Sequence, residues 1–278
     1  TNMQQIADSD LVVWVGTPVD AWLKKPLENL KSSQIAMHDL TELRELPIRH
    51  GGLWEKHHKH SHTPKHDVSK NGSNDNAFAS HAEHGEHSHE SHAHQAKSSL
   101  RMDGHLWMSY HNSVMLVKAV AKKLQMIEPH KAELIKQREQ KWLKKLQQTD
   151  LSLEKELHKI SKQPYLVLHD AFQYFEARYG LNGVGSIQLN PSISPSLKRV
   201  AELRKKIDSG GIKCVFKEPQ FPVKRVLAVV RGLDVKLGSL DPMGSVGRDV
   251  ANNETAIYLH YDVFLKQLGQ QFVACLAD

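Results

Sequence analysis

The chain has 278 residues, 40% apolar and 24% charged, with a net charge of +6 at neutral pH; this is globular composition, long enough for two domains of ordinary size. No stretch approaches the ~18 uninterrupted apolar residues of a membrane-spanning helix. The positive excess lies in residues 118–163, where eleven Lys and one Arg face six acids, and a basic helical face without interleaved aromatics reads as solvated surface, which excludes nucleic-acid binding.

In chain order, residues 11–16 form a short continuous apolar run ending in Gly, the pattern of a parallel strand covered on both faces. Residues 17–30 read as loop and helix, and residues 34–37 as a second strand. Between residues 50 and 97 the character changes: twelve of the 19 His fall here, among Ser, Asn, Gly and Lys. Such a segment buries too little apolar surface to offset its ordering entropy, so residues 50–100 are expected to form a long loop. Neutral imidazole is the commonest protein ligand for divalent transition metals, and His-rich tracts read first as metal-binding. The spacings of His57, His58, His60, His62, His84, His87, His89, His92 and His94 suit several overlapping weak sites rather than one cage. The competing readings are auxiliary zinc capture, sensing of excess zinc and an inert insert. Because a ligating imidazole must give up its proton, occupancy of such sites is expected to fall as pH drops through ~6.5.

Residues 113–124 predict an amphipathic helix stopped near Pro129. From 129 to 160, Ile135, Trp142, Leu146, Leu153, Leu157 and Ile160 form one apolar stripe at helical spacing. A single helix there would be a rod of roughly 45 Å; Thr149-Asp150 is the one place where it could break. Residues 165–169 are an apolar strand, Asp170 a predicted N-cap, and 171–179 a helix. Strands at 184–189, 212–216 and 235–240 alternate with helices at 195–207 and 222–231, which predicts a parallel sheet with helices on both faces. The plan is an α/β lobe over 1–128, a connecting helix over 129–162 and a second α/β lobe over 163–278.

Open parallel sheets bind ligands just beyond the carboxyl ends of their strands. The polar residues at those ends are His169, Asp170, Glu218 and Asp241, and a further His, His105, follows the His-rich tract. A lone His in such a place is often a structural hydrogen-bonder, but two beside a twelve-His tract favour a metal site. Imidazole donors with a carboxylate or water suit tetrahedral Zn²⁺, whereas Mn²⁺ prefers oxygen-rich sites. No H-E-x-x-H motif or serine-nucleophile elbow is present, so a zinc hydrolase is the weaker reading and Glu218 is not taken as a general base. Cys214 and Cys275 show no C-x-x-C spacing; they are either buried free thiols or a pair formed in an oxidising compartment.

The order of segments resembles the periplasmic zinc-binding proteins of ABC uptake systems (ZnuA-like, cluster A-I). The resemblance rests on Trp14-Val15-Gly16, the His-rich insert, His105-Leu106-Trp107-Met108-Ser109, the long helix and Leu168-His169-Asp170-Ala171-Phe172-Gln173-Tyr174-Phe175. Later it continues through Gly180-Leu181, Asn190-Pro191, residues 216–221 and Leu240-Asp241-Pro242-Met243-Gly244. It implies two pseudosymmetric α/β lobes joined by one long backbone helix, with the metal in the cleft between them. It further implies His105 and His169 as metal ligands, Asp241 as a weaker third, Glu218 lining the cleft behind them, and a Cys214–Cys275 disulfide. The implied function is a non-enzymatic receptor, monomeric and periplasmic, that captures Zn²⁺ and hands it to an ABC permease and, through it, its ATPase. A zinc buffer or metallochaperone and a manganese-type receptor are the alternatives. Two departures from the family pattern stand out: Tyr110 replaces the usual Pro, and the family's first strand and its additional His-bearing loop do not occur in this sequence, which implies an N-terminally truncated chain whose leader is absent.

Overall fold

The computed structural model describes residues 2–30, 32–54, 102–188, 195–246 and 257–277. Helix α1 (Asn2–Ala7) leads into β1 (Leu11–Trp14). Two short helices, α2 (Thr17–Asp20) and α3 (Lys24–Glu28), carry the chain across to β2 (Ser33–Ala36), which lies parallel to β1 in the register Leu11↔Ser33 to Trp14↔Ala36. The turn after β1 needs Gly16: its φ is 117°, and a Cβ there would stand 1.8 Å from His38 Nδ1.

Residues 40–54, which carry no periodic pattern, run away from this sheet toward the C-terminal half. Pro47 bridges Met102 in antiparallel fashion, and Leu53 bridges Gly185 in parallel fashion. Helix α4 (Tyr110–Ile127) starts before the predicted 113 because Ser109 caps it, its hydroxyl accepting from Asn112 N–H. Helix α5 (Ala132–His158) is unbroken and about 40 Å long. Thr149 and Asp150 do not interrupt it: both are buried, and Asp150 accepts from Arg178 (2.9 and 2.6 Å) and from the Tyr179 hydroxyl (3.0 Å). The apolar stripe has its function here, since Leu146, Leu153 and Leu157 are the fully buried apolar residues of the helix's inner face.

Beyond α5 the strands and helices alternate as predicted: β3 (Tyr165–Val167), α6 (Gln173–Tyr179), β4 (Gly183–Ser186), α7 (Leu197–Lys206), β5 (Cys214–Lys217), α8 (Lys224–Val230) and β6 (Lys236–Ser239). The strand order is β4-β3-β5-β6, all parallel. Because β4 lies on one side of β3 and β5 on the other, the boundary between β3 and β5 is where the winding reverses, the place such sheets use for ligands. Side chains alternate across β3: Tyr165 and Val167 join a core with Phe172, Phe175, Phe216 and Phe272, while Leu166 and Leu168 join one with Val215, Val226 and Val229. The first core also contains Met37, Leu106 and Met108, so the N-terminal elements pack onto the C-terminal sheet.

A short antiparallel pair, β7 (Ser245–Val246) with β8 (Ile257–Tyr258), precedes α9 (Tyr261–Leu276), which packs along α5 and the sheet. Cys214 in β5 and Cys275 in α9 form a disulfide, Cα–Cα 6.1 Å. Asp170 does not cap α6 as the sequence predicts: Phe172 holds the N-cap position without a side-chain bond, and the Asp170 carboxylate accepts from Arg49 instead. Among the described residues no helix is long and apolar enough to cross a membrane.

Candidate metal centre

His105 stands between Asp103-Gly104 and a tight turn over Leu106–Met108 whose two end residues are buried, which fixes the ring's base. The Asp103 carboxylate Oδ1 accepts twice, from His105 N–H (3.0 Å) and from His105 Nδ1–H (2.6 Å). His169 leaves the end of β3 and is held in the same way. Glu218, at the end of β5, accepts through Oε1 from His169 N–H (3.2 Å) and from Nδ1–H (2.7 Å). With Nδ1–H committed to a carboxylate, the neutral ring carries its lone pair on Nε2. Neither Nε2 has a protein partner among the described residues.

The two ring centres are 5.3 Å apart. Two imidazoles bound tetrahedrally through Nε2 to one zinc at about 2.05 Å would have ring centres roughly 5.2 Å apart. Both carboxylates are buried, and each has a second oxygen, Asp103 Oδ2 and Glu218 Oε2, with no hydrogen-bond partner among the described residues. That leaves a concentration of negative charge behind two neutral nitrogen donors, an arrangement that favours a cation in front of them.

Asp241 is presented differently. Its Oδ1 accepts from Gln220 Nε2 (2.5 Å) and Met243 N–H (2.9 Å), and its Oδ2 from Ser245 N–H (2.8 Å) and Ser245 Oγ (3.0 Å). Those four bonds fill the acceptor capacity of a carboxylate and shape the loop that leads into β7. Among the described residues no group of three His, Cys, Asp or Glu side chains converges closely enough to hold a metal ion; the pair His105–His169 is what the structure brings together. The tract from His57 to His94 lies outside the described residues.

Several contacts join the two halves around the pair. Trp107 Nε1 donates to the Pro242 carbonyl (2.9 Å), and Tyr174 in α6 donates to the Asp103 carbonyl (2.8 Å). Arg49 binds Asp170 through two nitrogens, makes a 2.6 Å ion contact with Glu176 and lies 3.6 Å over the Trp54 ring. Burial works against the Arg49 charge, yet the bonds to Asp170 and the Glu176 carboxylate hold its pKa above the usual guanidinium range. Burial also pushes the Glu176 carboxyl above the usual range, and the Tyr165 hydroxyl donates to it (2.8 Å). Asp103 and Tyr174 were not singled out from the sequence. The Asp-x-His spacing with an intervening Gly is the signal for the first; nothing in the aromatic run 172–175 marks the second.

The family model for the zinc-uptake complex component A, periplasmic, matches residues 1–259. The chain belongs to this family. It is a family of uptake components, not of enzymes. The high-affinity zinc uptake system protein ZnuA of Brucella abortus is 33% identical over 257 residues, covering 90% of this chain and 73% of that protein. The protein of the same name from Yersinia pestis is 27% identical over 277 residues, 99% of this chain and 78% of that one. A crystal structure of ZnuA superposes with a TM-score of 0.68 at 15% identity, covering 99% of this chain and 83% of the other. The periplasmic zinc-binding protein TroA of Treponema pallidum gives 0.66 at 19% identity, over 100% and 84%. The chain thus shares the fold of these structures, an α/β arrangement that here has parallel sheets flanked by helices and the long helix α5.

Proposed function

We propose that the protein is the periplasmic receptor of an ABC zinc importer, capturing Zn²⁺ between His105 and His169 and releasing it to a membrane permease and its ATPase. The observation that carries this reading is the 5.3 Å pair of imidazoles from opposite halves of the chain, each fixed through Nδ1 by a buried carboxylate. Membership of the zinc-uptake family supports it. Zinc is the cargo here, so the site must bind tightly and also let go, and it needs no general base or substrate pocket.

The donor set favours zinc over manganese, because imidazole nitrogens suit Zn²⁺ and carboxylate or water oxygens suit Mn²⁺. Asp241 joins the metal only by giving up one of its four loop bonds; otherwise the remaining positions fall to water or to donors outside the described residues. The division into lobes at 1–128 and 163–278, with a connecting helix at 129–162, belongs to the same reading. Two separate parallel sheets support it, although residues 40–54 reach across to β4. A monomer in the periplasm, exported by a leader and meeting the membrane only at the permease, completes it.

Calorimetric titration of the metal-stripped protein with zinc and with manganese tests the reading. Zinc is expected to bind at least about a hundredfold more tightly, following the preference of nitrogen donors. Equal affinities, or zinc-dependent turnover of an ester or phosphoester, would overturn it.

A further inference from the structure

Tyr174 sits in α6, a few residues after His169, and its ring is almost wholly buried in the core shared by the two halves. Its hydroxyl nevertheless serves another part of the chain. It donates to the Asp103 carbonyl (2.8 Å) and accepts from the Leu46 N–H (3.1 Å). Leu46 and Asp103 already face one another: Asp103 N–H donates to the Leu46 carbonyl (2.8 Å), and the adjacent Pro47 and Met102 form an antiparallel bridge. In an undisturbed antiparallel pair of this kind, the Leu46 N–H would donate directly to the Asp103 carbonyl. The phenol oxygen occupies that bond's place and holds the two strands apart there.

We propose that Tyr174 is a positioning residue for the zinc site: its hydroxyl, wedged between Leu46 and Asp103, sets where the Asp103–His105 segment stands relative to His169. This rests on the reading of His105 and His169 as the zinc donors. The coupling is direct, since the Asp103 carboxylate holds both the main chain and the ring of His105, and its carbonyl is what Tyr174 grips. On the other side, α6 follows His169 with only a short turn between them, in which Ala171 N–H donates to the His169 carbonyl (3.0 Å). Both imidazoles are therefore referenced to one helix. Burial, the largest influence on the phenol, pushes its pKa up to about 12, so it remains a donor at any physiological pH.

Removing the hydroxyl while keeping the ring lets the Leu46–Asp103 bond close directly, a shift of roughly 1–2 Å at Asp103. Zinc coordination tolerates deviations of only about 0.2 Å. The test is Tyr174→Phe in the full chain, read by zinc calorimetry and by the visible absorption of the cobalt-loaded protein, a signature that responds to ligand geometry and not to stability. Zinc binding is expected to weaken about three- to tenfold, below the 10–100-fold typical of groups that touch a metal ligand directly, with altered cobalt band intensities. Placing 4-aminophenylalanine at 174, which can both donate and accept, is expected to restore both readouts; should the Phe variant fail to fold, 4-fluorophenylalanine, which keeps nearly the size of the phenol but cannot donate to the Asp103 carbonyl, replaces it with the expectation of weakened zinc binding. Wild-type affinity and an unchanged cobalt spectrum in the variant would overturn the proposal, as would a loss that 4-aminophenylalanine does not restore. His105→Ala and His169→Ala separate the two readings: if both bind zinc as the wild type does, the site itself is wrong, whereas if both fail while Tyr174→Phe is unaffected, only the role of Tyr174 falls.

Discussion

At the scale of single residues, the candidate centre consists of two imidazoles whose inner nitrogens are spoken for and whose outer nitrogens are not. The carboxylates of Asp103 and Glu218 do two things at once: they fix the tautomer and aim the ring. Glu218→Gln keeps an acceptor for His169 Nδ1–H but loses the charge, and is expected to weaken zinc binding about tenfold, whereas Glu218→Ala, which loses both, is expected to approach about a hundredfold. Equilibrium competition against a zinc chelator measures both, and equal losses would assign the effect to the lost charge alone. His105, His169 and Glu218 were legible in the sequence because each stands at a strand end or in a short motif. Asp103 became meaningful only when its oxygen was seen to accept from His105 two residues later. Asp241 was legible as a polar residue at the end of a strand, but its engagement with Gln220, Met243 and Ser245 is a property of the folded loop that no spacing announces.

At the scale of elements, the apolar runs and the α5 stripe announced themselves because burial on both faces of a strand, or on one face of a helix, imprints a period on the sequence. Helix α9 did not. Its buried face, Phe264, Leu265, Leu268, Phe272 and Leu276, recurs at helical spacing, but Asp262 is buried with it and Gly269 stands in mid-helix, which blur the pattern. A Cβ at that position would stand 2.4 Å from Leu153 of α5, so the close approach of the two helices explains a residue that otherwise argues against a helix. Residues 40–54 were equally silent, since their bonds are to distant partners. Their docking at the sheet edge is testable: at Gly185 a Cβ would lie 2.5 Å from the Leu53 carbonyl oxygen, a backbone atom that cannot turn aside. Gly185→Ala is expected to cost about 1–3 kcal/mol in urea unfolding, the usual range for overpacking. An unchanged midpoint would mean that this edge contact contributes nothing to stability.

At the scale of the whole molecule, the halves are held to one another by a shared core and by the Tyr174–Asp103, Trp107–Pro242 and Arg49–Asp170 contacts that ring the histidine pair. A receptor whose donors are fixed in place before the ion arrives loses little conformational freedom on binding, which favours affinity. The disulfide lies in that same core and closes a loop of 61 residues between β5 and α9. In the chain-entropy account such a loop is worth about 4 kcal/mol. Cys275→Ser is accordingly expected to lower the unfolding free energy by about 2–4 kcal/mol, with a smaller effect on zinc affinity than either histidine substitution; a variant as stable as the parent would remove the disulfide from the account.

The most direct test concerns where the tightly held ion sits. Zinc calorimetry on the full chain, on His105→Ala, on His169→Ala and on a deletion of residues 55–101 is expected to show the high-affinity event lost in both single substitutions and kept in the deletion. The account would be contradicted if both substituted proteins kept that event and only the deletion lost it, because the ion would then be held by the His-rich tract and not by the pair of rings between the two halves.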